Sequence, residues 1–133
     1  MVTQLYASVA TGFFILLTLR VFALRGNPIF KIISYGKENE DILRRAVRGH
    51  GNFIEYTPLF LILLYLAENA GTQSNILHIL AIIFMFERLL HGILFSFLII
   101  QSFILRATGM FLTMLGIGLV GLLNFIQSIL VYF

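Results

Sequence analysis

Four polar side chains recur at helical spacing at the edge of a strongly apolar stretch of the chain. They stand at steps of three, four and three residues, on one face of a single helix: Arg45, Arg48, Asn52 and Glu55. Arginine binds carboxylates, a carboxylate binds ammonium or amide groups, and asparagine binds peptide groups. Because we expect residues 49–67 to cross a bilayer, this face predicts a polar site within a membrane. A short acidic peptide would suit such a site.

A second group of polar residues interrupts a later apolar segment. Arg88, His91 and Phe95 share one helical face, and Glu87 stands in an i,i+4 relation to His91. A charge at the bilayer centre costs about 2.5 to 3.5 kcal/mol on insertion scales, so the charged members must pair or face water. We predict an ion pair between Glu55 and Arg88. A purely structural pair is the alternative, but it leaves the neighbouring polar residues unexplained.

The elements that position these residues follow from the composition. Of the 133 residues, 59% are hydrophobic and only 11% are charged, whereas about a quarter are charged in soluble domains. The mean hydropathy is +0.98. Segments long and apolar enough to span a bilayer are residues 4–24, 49–67, 76–100 and 107–132. We therefore expect a single all-α domain over residues 1–133, an integral membrane four-helix bundle with up-down topology, and we expect its first segment to be retained rather than cleaved.

The distribution of charge predicts the orientation in the membrane. Basic residues gather between the first two segments and recur at the third connection: Arg25, Lys31, Lys37, Arg44, Arg45 and Arg106. Residues 68–75 contain no Lys or Arg. The positive-inside rule therefore places the first and third connections in the cytoplasm and both termini on the opposite side. The net charge of +3 is thus explained by the orientation in the membrane and does not indicate a nucleic-acid partner. Arg20, one turn inside the first segment, is expected to extend outward to the headgroups.

The chain contains no cysteine. This excludes disulfides, thiolate metal sites and a cysteine nucleophile, so any thiol chemistry must use the sulfur of a ligand. We expect no metal site.

Three stretches resemble the MAPEG superfamily of membrane-associated proteins in eicosanoid and glutathione metabolism. The run Arg48-x-x-x-Asn52-x-x-Glu55-Tyr56-x-Pro58-Leu59-Phe60 resembles the second-helix motif of its leukotriene synthase and microsomal glutathione transferase members. Arg88-Leu-Leu-His91-Gly resembles the third-helix motif, and Arg106-Ala-Thr-Gly resembles the start of the fourth helix. Four helices of this length and order extend the resemblance over essentially the whole chain.

The resemblance implies a homotrimer with sites between subunits, each binding bent glutathione as co-substrate from the cytoplasmic side. Its implied glutathione-binding residues are Arg48, Asn52, Glu55, Tyr56, Arg88 and His91, with Arg45 and Arg25 as further loop arginines. Arg106 would be the catalytic residue that stabilises the glutathione thiolate. The implied activity is that of a glutathione transferase or peroxidase, acting on lipophilic electrophiles or hydroperoxides that arrive through the bilayer.

Several positions depart from the pattern of the superfamily. Phe95 stands where members often carry a tyrosine, Gly51 stands where some carry an arginine, and Glu87 adds an unexpected negative charge. Arg106 could instead contact lipid phosphate at the membrane edge. A non-catalytic ligand-binding or scaffold member of the same fold is therefore an alternative. A small multidrug-type transporter is a further one, but such exporters are expected to carry an acidic residue in the first helix, and this first helix has none.

Overall fold

The computed structural model describes residues 1–36, 39–98 and 103–130, and within the last range it leaves out the side chain of Arg106. The described residues form four long α-helices and a short 3-10 helix, with no strand among them. In chain order these are α1 (Val2–Leu24), the 3-10 helix η1 (Pro28–Ile33), α2 (Glu40–Asn69), α3 (Ser74–Ser96) and α4 (Phe103–Leu130). The prediction of an all-α protein is confirmed.

Three of the described helices are long and apolar enough to cross a membrane by length and composition: α1, α3 and α4. We expected four such helices, and α2 is not among these three. The polar residues that precede Tyr56 lower the hydropathy of its first half. Length is not the reason, because α2 has 30 residues.

The helix ends differ from the ends of the apolar runs. α2 begins at Glu40 rather than at residue 49, because the Asn39 side chain accepts a hydrogen bond from the Asp41 N–H at 2.9 Å. Two acidic residues in the first turn also suit the positive end of the helix dipole. α3 ends at Ser96 rather than at residue 100, and α4 begins at Phe103 rather than at residue 107. Hydropathy marks the part of a helix that suits lipid, whereas capping groups decide where its backbone hydrogen bonding starts.

α2 and α3 are the central elements, since each of them packs against the other three long helices. The rings of Phe60 and Phe84 stack with their centroids 3.8 Å apart and join α2 to α3. Gly116 allows α4 to approach the same place, because a Cβ at this position would lie 3.2 Å from the Phe84 ring. The α2 helix continues through Pro58 to Asn69.

Arg20 is fully buried, which makes the prediction that it extends outward wrong. Its Nε donates to the Ser96 carbonyl at 2.9 Å, its Nη2 donates to the Tyr35 carbonyl at 2.9 Å, and its Nη1 donates to the Ile33 carbonyl. The guanidinium also lies 4.1 Å from the centroid of the Tyr35 ring. The reason is that the connection after α1 folds back over the helix and offers carbonyl groups that hydropathy does not reveal.

At the opposite end of α1, the Glu68 carboxylate caps the start of the helix. It accepts hydrogen bonds from the backbone N–H groups of Val2 at 2.5 Å and Thr3 at 3.0 Å. Burial raises the pKa of the Glu68 carboxyl, but the hydrogen bonds from Thr3 and Val2 outweigh it, and the pKa lies below its ordinary value. Glu68 therefore joins the end of α2 to the start of α1.

Candidate functional site

An open groove of about 630 Å³ lies on the face formed by α2, α3 and α4. It brings together four of the residues predicted to bind glutathione, two other residues of α2, one aromatic residue of α3 and an apolar wall from α4. The residues that line it are Arg48, Asn52, Glu55 and His91, with Val47, Gly51, Phe95, Phe103, Ala107 and Met110. We refer to this cavity as the polar groove.

The α2 wall of the polar groove carries two exposed charges of opposite sign. At 1.5 Å per residue, Asn52 lies about 6 Å and Glu55 about 10 Å along the axis from Arg48. Arg48 and Glu55 are exposed and Asn52 is half-buried. Among the described residues, neither Arg48 nor Glu55 forms an ion pair. This wall therefore offers a cation and an anion about 10 Å apart, with an amide between them.

The prediction of a Glu55–Arg88 ion pair is wrong, because Arg88 pairs with its sequence neighbour Glu87. Arg88 Nη2 donates to Glu87 Oε1 at 2.8 Å and its Nε donates to Oε2 at 2.5 Å. Thr113 of α4 accepts from Arg88 and donates to Glu87 Oε2 at 2.7 Å. Glu87 and Arg88 are only 3% and 2% exposed, so the pair is buried between α3 and α4. The hydroxyl of Thr113 satisfies both partners inside the bundle, and Glu55 is left to the groove.

Arg88 contacts residues of α2 behind the groove wall and does not line the polar groove itself. Its Nη1 donates to the Asn52 carbonyl at 3.4 Å, and its guanidinium lies 5.4 Å from the centroid of the Tyr56 ring. Tyr56 is half-buried against it and also lies outside the groove lining. These two residues of the predicted set therefore contact the wall of the site rather than its open space.

His91 joins the buried pair to the polar groove. One ring nitrogen, Nε2, lies 3.2 Å from the Asn52 Nδ2, and the other, Nδ1, lies 3.7 Å from Glu87 Oε1. With the Asn52 amide nitrogen as donor, Nε2 accepts, and Nδ1, which faces the carboxylate, carries a ring proton. The ring also stacks on Phe95 at 4.4 Å.

Gly109 of α4 makes this arrangement possible. A Cβ at position 109 would lie 2.8 Å from Glu87 Oε1 and 3.2 Å from His91 Nδ1. Gly109 and Thr113 stand four residues apart, on one face of α4. In the structure, both residues contact the charged pair.

Three predicted residues lie away from the lining of the polar groove or cannot be placed in it. Arg45 donates to the Leu94 carbonyl at 3.2 Å and the Leu98 carbonyl at 2.8 Å, at the end of α3. Arg25 is exposed at the end of α1. Arg106 belongs to α4, but its side chain lies outside the described part of the structure; the next residue, Ala107, lines the groove.

Sequence reasoning missed the α4 wall of the groove. Phe103, Ala107 and Met110 stand at steps of four and three residues, the signal of one helical face. The expected start of the fourth helix at residue 107 left Phe103 outside the helix.

Comparison with known proteins is consistent with this architecture. The profile of the MAPEG family matches residues 3–126. Curated relatives are the inner membrane protein YecN of Escherichia coli strain K12 and that of Escherichia coli O6:H1, each 34% identical over 59 residues. These matches cover 44% of this chain and 45% of each relative, so the chain aligns with less than half the length of the curated relatives. No solved structure matches. With three helices able to cross a membrane and a family match over nearly its whole length, the chain is an integral membrane protein that belongs to the MAPEG family.

Proposed function

We propose that the protein is a membrane-bound glutathione transferase or peroxidase that binds glutathione in the polar groove from the cytoplasmic side. The observation that carries this proposal is the exposed Arg48 and Glu55 on one wall, with Asn52 and His91 beside them. Glutathione is a tripeptide with two carboxylates, one ammonium group and two peptide groups. A cavity of about 630 Å³ lies within the usual range for small-molecule sites, about 300 to 1,000 Å³.

Each polar group of the groove has a matching group on glutathione. Arg48 binds a carboxylate, Glu55 binds the ammonium group, and Asn52 binds a peptide group. His91 contacts the ligand through the edge of the ring nearest Asn52. Arg88 and Tyr56 position the α2 wall from beneath. In the homotrimer that we also propose, Arg45 reaches the ligand from a neighbouring subunit or at the rim.

Thiol activation falls to Arg106. A thiol of pKa about 8.5 is only about 3% thiolate at pH 7, and lowering the pKa by about 2 units, worth about 2.7 kcal/mol, makes the thiolate the major form. A guanidinium can supply this stabilisation as a charge-assisted hydrogen bond. The thiolate then forms a bond to an electrophilic carbon as the leaving group departs, or attacks a hydroperoxide oxygen as the O–O bond breaks.

The apolar wall supports a route from the bilayer for the second substrate. Phe103 is 82% exposed and Met110 is 41% exposed, and both line the polar groove beside its charged residues. A lipophilic substrate in the bilayer would contact this wall while its reactive atom reaches the thiolate. We further propose that α2 also crosses the membrane in an up-down bundle, with the first and third connections in the cytoplasm and both termini opposite.

One observation favours a second candidate, a member that binds a ligand without turning it over. Phe95 stacks on His91 and lines the polar groove with an apolar ring. The tyrosine that family members often carry at this position would present a hydroxyl there. A transporter has no comparable support, since α1 contains no acidic residue.

The test is glutathione binding by the purified protein, followed through the ultraviolet absorbance of the thiolate. We expect wild type to shift the thiol toward the thiolate and Arg106→Ala to abolish the shift. Arg48→Gln should weaken binding by about 10- to 100-fold, the loss expected for one charge-assisted hydrogen bond.

Arg44→Gln is the matched control, because Arg44 is exposed, pairs with Asp41 and lies outside the groove lining. It should bind like wild type. Failure of wild type to bind glutathione at millimolar concentration would contradict the proposal. Binding without conjugation of a chloronitrobenzene would favour the non-catalytic alternative.

A further inference from the structure

The connection between α1 and α2 exposes two isoleucines. Ile29 is 79% exposed and Ile32 is 94% exposed, and no residue of η1 is buried. The backbone bends at Phe30, between these two residues, where φ is -104° and ψ is 27°. We refer to the two isoleucine side chains, which the rest of the described chain leaves largely uncovered, as the ridge.

Arg20 holds this ridge close to the membrane. It lies one turn inside the end of α1, a helix able to cross the bilayer, and it donates to the carbonyls of Ile33 and Tyr35, which follow the ridge. Gly26 has a φ of 98°, and the Asn27 N–H donates back to the Phe22 carbonyl at 3.1 Å, so the chain reverses at the helix end. η1 consequently lies beside the last turn of α1 instead of extending into water.

Both charged residues among positions 25–36 are basic. Arg25 and Lys31 are exposed, and residues 25–36 contain no Asp or Glu. An open cavity of about 490 Å³ lies between the end of α1 and η1, lined by Gly26, Asn27, Lys31 and Ser34 among others. A cavity of this size beside the Lys31 ammonium group can hold a phosphate-bearing headgroup.

From these observations, we infer that η1 and Arg25 form a binding surface for anionic phospholipid. Ile29 and Ile32 insert at the boundary between headgroups and acyl chains, and Lys31 and Arg25 bind the headgroup phosphate. Interfacial segments combine these features, with apolar side chains on one side and basic side chains beside them. The inference does not depend on glutathione chemistry, and a failure of the proposed function leaves it intact.

Fluorescence in reconstituted vesicles tests the surface, because the chain contains no tryptophan and one can be introduced as the sole reporter. With Ile32→Trp, we expect blue-shifted emission that is quenched by phospholipid brominated near the headgroup. At equal mole fraction, brominated phosphatidylglycerol should quench the emission at least about five times as strongly as brominated phosphatidylcholine. Each basic side chain near the membrane surface raises the preference for anionic lipid by about that factor.

Removing the charges should remove the lipid preference. In the Ile32→Trp background, Arg25→Gln with Lys31→Gln should bring the quenching ratio of the two lipids close to unity, whereas Arg44→Gln should leave it unchanged. Blue-shifted emission that neither lipid quenches would mean that a second copy of the chain covers the ridge, and would overturn the inference. Emission typical of water, or an equal response to both lipids without any substitution, would overturn it too.

Discussion

The molecule contains two sets of opposite charges that resemble each other in sequence but differ in their surroundings. Glu87 and Arg88 are buried, and a hydroxyl from α4 completes their hydrogen bonds. Arg48 and Glu55 are exposed on one wall of the polar groove, and neither forms an ion pair within the described residues. The buried pair is already satisfied by the protein. The open set keeps its binding capacity for a ligand.

This difference suits the buried pair to a structural role and the open set to the proposed binding role. Removing one partner of a buried ion pair leaves a charge without compensation in a medium that solvates it poorly, and this costs about 3 to 5 kcal/mol. Exposed charges contribute about 0 to 1 kcal/mol, because water replaces the lost partner. Substitutions in the two sets should therefore affect stability very differently.

The largest effect is expected for Glu87→Ala. It leaves Arg88 buried without its carboxylate, so the free energy of unfolding should fall by about 3 to 5 kcal/mol. Equilibrium unfolding in detergent micelles measures the change. The double variant Glu87→Leu with Arg88→Met should recover most of the loss, because replacing both charges removes the uncompensated one. A loss below about 1 kcal/mol for Glu87→Ala would show that water reaches the pair.

A smaller loss is expected for Gly109→Ala, which keeps both charges but crowds them. The added Cβ would lie 2.8 Å from Glu87 Oε1, so the pair must shift, at a cost of about 1 to 3 kcal/mol. Gly118→Ala is the matched control on α4, because nothing lies within 4 Å of a Cβ there. It should be neutral or stabilising by up to about 1 kcal/mol, the difference in helix propensity. Equal losses in the two variants would contradict the crowding argument.

The spacing of the sequence predicted the open set correctly but gave the wrong ion-pair partner for Arg88, Glu55 instead of Glu87. The steps between Arg48, Asn52 and Glu55 fix a common face in any helix, and the structure places all three on one groove wall. Adjacent residues on a helix normally point in different directions, so spacing argued against a pair between Glu87 and Arg88. Thr113, 25 positions further along the chain than Arg88, brings the two together. No local pattern carries that information.

The buried position of Arg20 was out of reach for the same reason. Hydropathy treats an arginine near a helix end as a group that extends to water. Whether a connection folds back and offers carbonyls depends on backbone geometry, here on Gly26 and on the capping turn after it. The cap of α1 by Glu68 likewise joins residues that are more than 60 positions apart.

Glu68 provides an intermediate case, a half-buried carboxylate held by hydrogen bonds from backbone N–H groups. Its pKa is lower in the folded protein than in the unfolded chain. The stabilisation is therefore fully present above the unfolded pKa of about 4.3, and it is lost as the pH falls through the folded value. Wild type should lose more stability on acidification than Glu68→Gln, so their unfolding free energies should converge at low pH. Parallel pH profiles would contradict this role of Glu68.

The smallest effect on stability is expected in the open set, where the effect on binding should be large. Glu55→Gln removes a charge without a described ion pair and keeps the shape of the side chain, so the unfolding free energy should change by no more than about 0.5 kcal/mol. Glutathione affinity should fall by about 10- to 100-fold, because the ammonium group loses its carboxylate. Glu40→Gln, at the exposed start of α2 and outside the groove lining, should leave the affinity unchanged and cost about 0.3 to 1 kcal/mol of stability, the interaction of this carboxylate with the helix dipole. If Glu55→Gln instead destabilised the protein as much as Glu87→Ala does, Glu55 would be a structural residue, and the polar groove would lose the anion that suits it to a zwitterionic peptide.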